Sequence, residues 1–336
     1  MTVSSDNAWG RTHLISVVIP VYGGEKTLAG VIGEIEPLTA ESTTPDGHPF
    51  RVTEVVLVFD NGRDDSPRVI RELTALHPFV RSVWLSKNFG QHAATLAGMA
   101  SSGGEWIVTL DEDGQHDPAG IGSLLDTAMR EQADVVYMSP LNKPSHGFLR
   151  NSASKGAKWV LTKLFAGSNA SEYQSFRLIL GNVGRSVAAY SGAGVYLDVA
   201  LGWVAARVAT TPLMLRDEGD RQSGYSPRRL FSHFWRMVLS SGTRGLRLVS
   251  VVGAVFGAIG VLVAIFILIT RLTGHVDTAG WASMIVVLLL SSGAILVSLG
   301  IIAEYIGVNV NMAMGRPPYL ITSDPTSGPL GRQRTP

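Results

Sequence analysis

The chain contains 336 residues with a formal net charge of +1, and charged residues make up 16% of the sequence. This charged fraction lies below the roughly 25% that is usual for soluble domains, while the length fits one large domain or two smaller units. The chain has no cysteine, which excludes disulfides and thiolate metal sites and fits a reducing compartment. We expect no nucleic-acid partner.

Residues 14–138 alternate short apolar runs with helix-like segments. The predicted strands are Ile15–Val21, Val55–Phe59, Val80–Leu85, Ile107–Leu110 and Val135–Met138. The predicted helices are Thr27–Leu38, Ser66–Leu76, Gln91–Ala100 and Pro118–Glu131. This alternation predicts an α/β fold with a mostly parallel sheet, whose polar loops meet at one edge and form one crevice. Neither the dinucleotide fingerprint nor a P-loop is present, so a P-loop nucleotidase is excluded.

The pattern changes after Ser139. A polar stretch, SPLNKPSHGFLRNSASKG, predicts a mobile loop that leads into a helix ending near Phe165. A strand in SFRLIL, a helix over Val183–Tyr190 and a strand over Val208–Leu215 are predicted next, followed by the charged loop RDEGDRQSGYSPRRL. The tail after Tyr319 is rich in Pro, Ser and Thr, which predicts disorder.

Two long apolar stretches lie near the C-terminus. Leu248–Thr270 and Trp281–Ala303 each run for 23 residues without a charged side chain. At about 1.5 Å per residue each would span roughly 35 Å as a helix, enough to cross a bilayer core of about 30 Å. The alternative is a pair of buried core helices. The preceding LFSHFWRMVL mixes aromatic, aliphatic and basic residues, which predicts an interfacial helix, with an ordinary linker helix as the alternative.

Charge flanking these stretches predicts their orientation. Five arginines precede the first span, namely Arg228, Arg229, Arg236, Arg244 and Arg247. The connector Arg271–Gly280 holds one arginine, and the C-terminal tail holds three. By the positive-inside rule both ends face the cytoplasm, and no signal peptide is visible. We therefore expect a multi-pass protein of the cell membrane with its large N-terminal domain in the cytoplasm.

The predicted organisation has five parts. A tail over 1–13 precedes an α/β domain over 14–225 and a juxtamembrane amphipathic segment over 226–247. A two-helix transmembrane hairpin over 248–306 and a cytoplasmic tail over 307–336 complete the chain.

The segment WIVTLDEDGQHDP carries the strongest chemical signal. Asp111 and Asp113 follow a predicted buried strand, where open α/β sheets place ligand-binding groups. Carboxylate and amide oxygens, here Asp113 and Gln115, suit a hard divalent cation bound together with phosphate oxygens. Asp117 precedes Pro118, so a helix cap is a better interpretation of it than a catalytic role.

Six segments together resemble a known family. In chain order they are ISVVIPVY, LSKNFGQHAATLAG, VTLDEDGQHDP, SFRL, RQSGYSPRRL and LGIIAEYIG. They are similar to the family 2 glycosyltransferases of GT-A fold, and most of all to the polyprenyl-phosphate glycosyltransferases. That branch is like dolichol-phosphate mannose synthase and has two C-terminal transmembrane helices. The resemblance implies a Rossmann-like GT-A domain followed by an interfacial helix and two spans.

The resemblance also implies roles for single residues. Pro20 and Tyr22 would cradle the base and ribose of a nucleotide-sugar, and Asp60 would contact the base. The set implied to bind the donor is Pro20, Tyr22, Glu25, Asp60, Lys87, Asp111 and Ser175. The set implied to act in catalysis is Asp111, Asp113, Arg177 and Arg221, with Ser175 and Arg177 near the sugar and acceptor phosphate. Asp113 and Gln115 would bind Mg²⁺ or Mn²⁺.

Three positions depart from the family pattern. Gly23 and Gly24 stand where many relatives have Asn-Glu, with Glu25 one step later. Phe59 stands at the first acidic position of the second-strand motif. An arginine common after the Val135–Met138 strand is replaced in the Ser139–Pro140 region, where Lys143 or Arg150 could substitute.

The resemblance implies transfer of a sugar from a UDP- or GDP-linked donor to polyprenyl phosphate, with inversion, for cell-envelope glycan assembly. Because a phosphomonoester is largely anionic at neutral pH, with a second pKa of about 6, a strong general base is less necessary than for a hydroxyl acceptor. Asp117 and Asp220 are weak candidates for one. Homo-oligomerisation, as a tetramer, is expected by family resemblance only. The alternatives are transfer to another lipid or a polysaccharide, or an inactive membrane scaffold; a processive synthase is disfavoured because Gln-x-x-Arg-Trp is absent.

Overall fold

The computed structural model describes residues 11–142, 174–192, 195–216, 244–273 and 280–327. The chain divides into two compact units. The first comprises Met1–Ser152, Asn169–Gly224 and Pro317–Pro336, and the second comprises Ala153–Ser168 and Tyr225–Arg316. The last segment of the chain therefore returns to the first unit after the apolar helices.

The first unit is built on one sheet. In the described residues its strands are β1 (His13–Val21), β2 (Ser42–Thr43), β3 (Pro49–Phe59), β4 (Val80–Leu85), β5 (Trp106–Thr109), β6 (Val135–Pro140), β7 (Arg177–Leu180), β8 (Val208–Leu213) and β9 (Ile321–Thr322). The strand order is β8-β6-β7-β5-β1-β3-β4-β9, and β2 pairs with β3. Strands β1, β3, β4 and β5 pair in parallel, as do β6 and β8. The predicted mostly parallel α/β sheet is confirmed.

Helices cover both faces of the sheet. They are α1 (Leu28–Ile35), α2 (Ser66–Leu76), α3 (Gln91–Ser101), α4 (Ile121–Glu131), α5 (Gly181–Tyr190) and α6 (Leu197–Val204). Short 3₁₀ turns at Glu36–Thr39 and Pro118–Gly120 adjoin α1 and α4. The predicted helix boundaries are thus close to the observed ones.

Alternation along the strands divides the core into two layers. Val17 and Ile19 of β1 point to the face covered by α1, α2 and α4, whereas Val18 points to the face covered by α3, α5 and α6. Helix α3 approaches this second face closely, because a Cβ on Gly98 would lie 2.3 Å from Cγ1 of Val18. The small residues of this helix are therefore a packing requirement.

The described sheet has three antiparallel strands: β2 and β9, which pair with β3 and β4, and β7 in its interior. Strand β7 runs antiparallel to both of its neighbours, β5 and β6. As a result, the residues just before β7, including Ser175, lie at the edge where β5 and β6 end. The sequence predicted this strand but did not predict its direction.

The prediction of disorder after Tyr319 is wrong for residues 320–327. Strand β9 pairs with β4, matching Trp84 with Thr322 and Leu85 with Ile321. Beyond it, Asp324 accepts hydrogen bonds from Nε and Nη2 of Arg71 at 2.6 and 2.9 Å. The composition suggested a solvated tail, but the open edge of β4 and the Arg71 guanidinium supply partners that composition alone does not reveal.

The second unit contains two long helices, α7 (Arg244–Leu272) and α8 (Trp281–Ala313). Within the described residues, one helical stretch, Leu290–Ala313, is long and apolar enough to cross a membrane, and its mean hydropathy is 1.8. Helix α7 contributes a shorter apolar stretch, Gly253–Val263. Large apolar side chains on both helices, such as Phe256, Phe266, Leu288 and Leu296, are exposed.

We predict that Asp324→Asn lowers stability by about 1 kcal/mol, or about 2–3 °C in melting temperature, because it removes a paired charge from Arg71. The bonds from Arg71 hold the pKa of Asp324 at about 2, against an ordinary value of 3.8. A depressed carboxylate pKa stabilises the fold above the unfolded-state value, and the contribution is lost as pH falls from about 4 toward 2. The difference between the variant and the wild type should therefore shrink over that range.

Thermal unfolding of the detergent-solubilised protein measures this effect. The matched control is Asp65→Asn, whose partner Arg68 and own side chain are both more than half exposed. That exposed pair is expected to contribute less than about 0.5 kcal/mol. Equal shifts for the two variants would show that the Arg71–Asp324 pair has no special role.

Candidate active site

The loops that carry the predicted site meet at the carboxyl edge of the sheet. Strands β1, β3, β4 and β5 are parallel neighbours, so the loops that follow them emerge on the same side. Open α/β sheets bind ligands in the crevice beyond such strand ends. The WIVTLDEDGQHDP segment therefore lies beside the loop that follows β1, the parallel neighbour of β5.

Asp111 links two neighbouring elements. Its Oδ1 accepts a hydrogen bond from Nε2 of Gln91 at 2.6 Å, and its Oδ2 accepts one from Oγ of Ser175 at 2.5 Å. The structure thus brings Asp111 and Ser175 together, as members of one predicted donor-binding group. Gln91, the first residue of α3, was not among the predicted site residues.

Asp113 and Gln115 occupy a tight turn in the same loop. Oδ1 of Asp113 accepts a hydrogen bond from the backbone N–H of Gln115 at 3.0 Å, and Gly114 between them has φ of +77°. The carbonyl of Gln115 accepts a hydrogen bond from the backbone N–H of Arg216 at 3.0 Å. The two predicted metal ligands are therefore half-buried residues of one turn, and the hydrogen bond from Arg216 holds that turn in place.

Glu112 is a site residue that the sequence analysis missed. Its two carboxylate oxygens accept hydrogen bonds from the backbone N–H groups of Tyr22 and Gly23, at 2.9 and 2.8 Å. Burial raises the pKa of this carboxyl to about 7, aided by the negative charges of Asp64 and Asp111 and opposed by the two N–H donors. Glu112 therefore ties the acidic loop to the loop after β1.

The loops after β1 and β3 are also joined to each other. The backbone N–H of Gly24 donates to Oγ of Ser66 at 2.9 Å, and the N–H of Glu25 donates to Oδ2 of Asp64 at 3.0 Å. The Glu25 carboxylate in turn accepts a hydrogen bond from the N–H of Asp65 at 3.3 Å. Glu25 thus lies at the predicted edge, within a network that its sequence motif did not reveal.

Pro20 and Tyr22 lie where β1 ends. Pro20 is in the strand, whereas Tyr22 follows it with 45% of its surface exposed. An exposed aromatic ring at this edge could stack on a base. Their predicted role as a base and ribose cradle stays a prediction.

Asp60, at the end of β3, is 3% exposed. Its two oxygens accept hydrogen bonds from the backbone N–H groups of Phe89 and Gly90, at 2.7 and 2.8 Å. Burial raises the pKa of Asp60, and these two bonds oppose that rise. Asp60 consequently shapes the β4–α3 loop that contains Lys87, whose Nζ lies 5.2 Å from the centre of the Phe89 ring.

The structure does not place Arg177 at the surface of the crevice. Its guanidinium is buried, forms an ion pair with Asp198, and donates from Nε to Oγ1 of Thr109 at 2.9 Å. The hydroxyl of Tyr137 donates to the same Asp198 oxygen at 3.1 Å. Arg177 is therefore buried and paired beneath the edge, and burial lowers its pKa.

The cap predicted at Asp117 is confirmed. Its Oδ1 accepts a hydrogen bond from the backbone N–H of Ala119 at 2.9 Å, at the start of the Pro118–Gly120 turn. Its Oδ2 lies 3.1 Å from Nη2 of Arg216, and Nη1 of the same guanidinium donates to Glu34. These contacts assign the carboxylate a structural role.

Four other predicted residues lie outside the part of the chain that the structure describes. They are Arg221, Asp220, Lys143 and Arg150.

Phe59, one of the departures from the family pattern, is a core residue. It is buried, and its ring meets that of Trp84 edge-on at 5.4 Å between centroids. Arg71 lies over the other aromatic partner, 5.1 Å from the Trp84 ring centre. The side chain at this position therefore faces the core rather than the crevice.

No group of three or more His, Cys, Asp or Glu side chains poised for a metal ion occurs among the described residues. The acidic loop therefore offers the two oxygen donors of Asp113 and Gln115. Mg²⁺ is commonly held by one or two carboxylates with the remaining positions taken by phosphate and water, so this donor set fits a metal shared with a substrate.

Known proteins match the chain over most of its length. The family described as "Glycosyl transferase family 2" matches residues 16–191. An undecaprenyl-phosphate 4-deoxy-4-formamido-L-arabinose transferase of Proteus mirabilis is 28% identical, with 93% of this chain and 94% of that protein covered. The protein of the same name from Pseudomonas fluorescens is 29% identical, with 92% and 89% covered.

Solved structures also overlay on the chain. Glucosyl-3-phosphoglycerate synthase from Mycobacterium tuberculosis, in complex with Mn²⁺, UDP-glucose and phosphoglyceric acid, is 18% identical with a TM-score of 0.46. That overlay covers 69% of this chain and 79% of the other. S. aureus TarS 1–349 in complex with UDP-GlcNAc is 13% identical with a TM-score of 0.45, covering 68% and 66%.

The chain belongs to glycosyl transferase family 2, since the family match spans more than half of its residues. It is a glycosyltransferase, and its described core is a Rossmann-like, mostly parallel α/β sheet. The resemblance inferred from the six sequence segments is thereby confirmed.

We predict that Gly62→Ala destabilises the first unit by about 3 kcal/mol or more and abolishes nucleotide binding. A Cβ at this position would lie 1.6 Å from the carbonyl oxygen of Tyr22. Because that atom belongs to the backbone, one of the two loops would have to move to relieve the overlap. The matched control is Gly33→Ala, in the exposed face of α1 with no atom within 4 Å of its new Cβ. That change should stabilise by about 0.5–1 kcal/mol, because alanine is the better helix former.

Thermal melting of both purified variants, with and without added UDP or GDP, provides the measurement. Similar melting temperatures for the two variants would contradict the close approach of Gly62 to the β1 loop.

Proposed function

We propose that this glycosyltransferase transfers a sugar from a nucleotide-sugar to polyprenyl phosphate at the cytoplasmic face of the membrane. The observation that carries the proposal is the acidic loop Asp111–Gln115, which hydrogen bonds join to the loop after β1 and to the first residue of α3 at the carboxyl edge. Apolar helices in the same chain, and relatives named as undecaprenyl-phosphate sugar transferases, support a lipid acceptor.

The donor would be held by the loops of this edge. Tyr22 and Pro20 would contact the base and ribose, Asp60 would keep the β4–α3 loop in place, and Lys87 lies in that loop. Asp111 and Ser175 form one hydrogen-bonded pair, which would meet the ribose and the sugar. The resemblance suggests UDP- or GDP-linked donors, and both belong in the test.

A divalent cation, Mg²⁺ or Mn²⁺, would be held by Asp113 and Gln115 together with the diphosphate. When bound, it supplies positive charge that stabilises the leaving nucleotide diphosphate. Asp113 and Gln115 are oxygen donors of the type that these ions prefer.

The reaction needs little proton transfer. An oxygen of the acceptor phosphate attacks the anomeric carbon, and the bond between that carbon and the diphosphate oxygen breaks, which inverts the centre. Because the attacking oxygen is already anionic, positioning and charge stabilisation supply most of the acceleration. Asp117 is then not needed as a base, in agreement with its cap and its contact to Arg216. Arg221 is proposed to meet the diphosphate.

The path of the chain favours two crossings. The α/β sheet precedes α7, and strand β9 of the same sheet follows α8. A chain that starts and returns on the same side of a membrane crosses it an even number of times. If α8 spans the bilayer, α7 spans it as well, and basic residues at both ends favour the cytoplasm.

We predict that the purified protein, given Mn²⁺ or Mg²⁺, polyprenyl phosphate and a panel of UDP- and GDP-sugars, forms a lipid-linked sugar. Asp113→Ala should lower kcat/KM by about a hundredfold or more, because charge on the leaving diphosphate is no longer neutralised. The matched control is Asp117→Ala, a carboxylate of the same segment. It should cost about 1 kcal/mol in stability through the lost cap and leave kcat within about threefold.

Extraction into organic solvent with chromatography of the lipid-linked product gives the readout. Absence of product from every donor, or full activity of Asp113→Ala, would rule out the metal-assisted lipid transferase. Product formation on another lipid but not on polyprenyl phosphate would favour the alternative acceptor.

A further inference from the structure

We propose that Glu112 positions the loop after β1, which begins at Tyr22 and is proposed to bind the nucleotide. Its carboxylate occupies the space that a side chain at position 24 would need. The proposal rests on the proposed function, because it assigns a residue to the donor site. It makes Glu112 a positioning residue rather than a catalytic one.

The first support is the pair of bonds that Glu112 makes. Oε2 accepts from the N–H of Tyr22 and Oε1 accepts from the N–H of Gly23, so one carboxylate holds two consecutive amides. These amides begin the loop after β1, where no strand partner continues the ladder. Because both of its oxygens are engaged by neighbouring amides, this contact fixes the direction in which the chain leaves Pro20.

The second support is the space around Gly24. A Cβ there would lie 2.8 Å from Oε2 of Glu112 and 2.7 Å from Cγ of Leu28. The φ of Gly24 lies outside the left-handed region, so its backbone conformation itself does not require glycine. Glycine at 24 and glutamate at 112 are therefore matched sterically, with the glutamate carboxylate filling the space that a side chain at 24 would need.

The third support is where Glu112 lies in the chain. It stands between Asp111, which binds Ser175 and Gln91, and Asp113, the proposed metal ligand. A rigid link from this segment to Tyr22 fixes the separation between the base pocket and the diphosphate site. The geometry points to Glu112 as the residue that sets this separation for the donor.

Position 112 is tested with Glu112→Ala and Glu112→Gln. Binding of UDP and GDP is measured by calorimetry in the presence of Mn²⁺, and amide hydrogen exchange is followed over residues 20–25. We expect Glu112→Ala to weaken nucleotide binding about tenfold or more and to speed exchange at Tyr22 and Gly23. Glu112→Gln keeps the volume and one acceptor, so it should fall between the alanine variant and the wild type.

The matched control is Asp134→Ala. Asp134 also accepts bonds from two consecutive amides, those of Ala206 and Arg207 at 2.6 and 3.2 Å, but it precedes β6 and so lies at the opposite edge of the sheet. Its loss should leave nucleotide affinity within about twofold while speeding exchange near residue 206. A loss of nucleotide affinity equal to that of Glu112→Ala would mean that both act only through general stability, and would overturn the proposal.

A reciprocal exchange tests the steric match. Gly24→Glu alone should lose nucleotide affinity, because its Cβ meets Glu112. The two changes should couple in a double-mutant cycle: in the Gly24→Glu background, Glu112→Ala should weaken nucleotide binding by less than it does in the wild type, because it also relieves the contact with position 24. The contact with Leu28 is present in both variants, so the difference between them reports Glu112 alone. A double variant whose loss of affinity equals the sum of the two single losses, expressed as free energies, would contradict the proposal.

These readouts need no turnover. Failure to form any lipid-linked sugar would defeat the proposed function while nucleotide binding and exchange still report on Glu112. Conversely, faster exchange at Tyr22 and Gly23 with unchanged nucleotide affinity would overturn the positioning role and leave the transferase proposal intact.

Discussion

The arrangement of this protein's crevice depends on carboxylates that accept hydrogen bonds from backbone amides. Beyond the ends of parallel strands the backbone loses its ladder partners, and its polar groups must find others. Asp60 satisfies two amides of the β4–α3 loop, and Glu112 satisfies two of the β1–α1 loop. Asp111 joins the acidic loop to Ser175 and α3. The same acidic residues that suit a donor diphosphate and its metal therefore also hold the loops that surround it.

Much of the fold could be predicted because each element has a local signal. Apolar runs of strand length alternate with helix-like segments, so β1, β4–β6 and the helices between them were found within a few residues, whereas for β3 only the C-terminal half was predicted. The direction of β7 and the docking of β9 could not be predicted, since both depend on partners distant in sequence. Glu112 was missed for a similar reason. Between two aspartates it looks like part of an acidic cluster, and only the structure shows its contacts with Tyr22 and Gly23.

Arg177 shows where motif matching and packing differ. The resemblance implies a role near the sugar and phosphate, yet the described structure pairs its buried guanidinium with Asp198. An unpaired charge at that depth would be costly, so Asp198 and Thr109 keep it in place. The pair supports β7 and, through that strand, the Ser175–Asp111 contact at the edge. Positive charge at the crevice surface would then come from residues such as Lys87 and Arg221, the second of which lies outside the described residues.

The central claim, sugar transfer onto a lipid phosphate from the cytoplasmic side, is tested most directly in sealed membrane vesicles of known orientation. Nucleotide-sugars are charged and do not cross bilayers unaided, so a donor added outside reaches only an α/β domain that faces outward. Inside-out vesicles containing the protein should convert added radiolabelled nucleotide-sugar into lipid-linked sugar without detergent. Right-side-out vesicles should do so only after permeabilisation. Equal conversion by intact vesicles of both orientations, or a product that is water-soluble, would contradict the account.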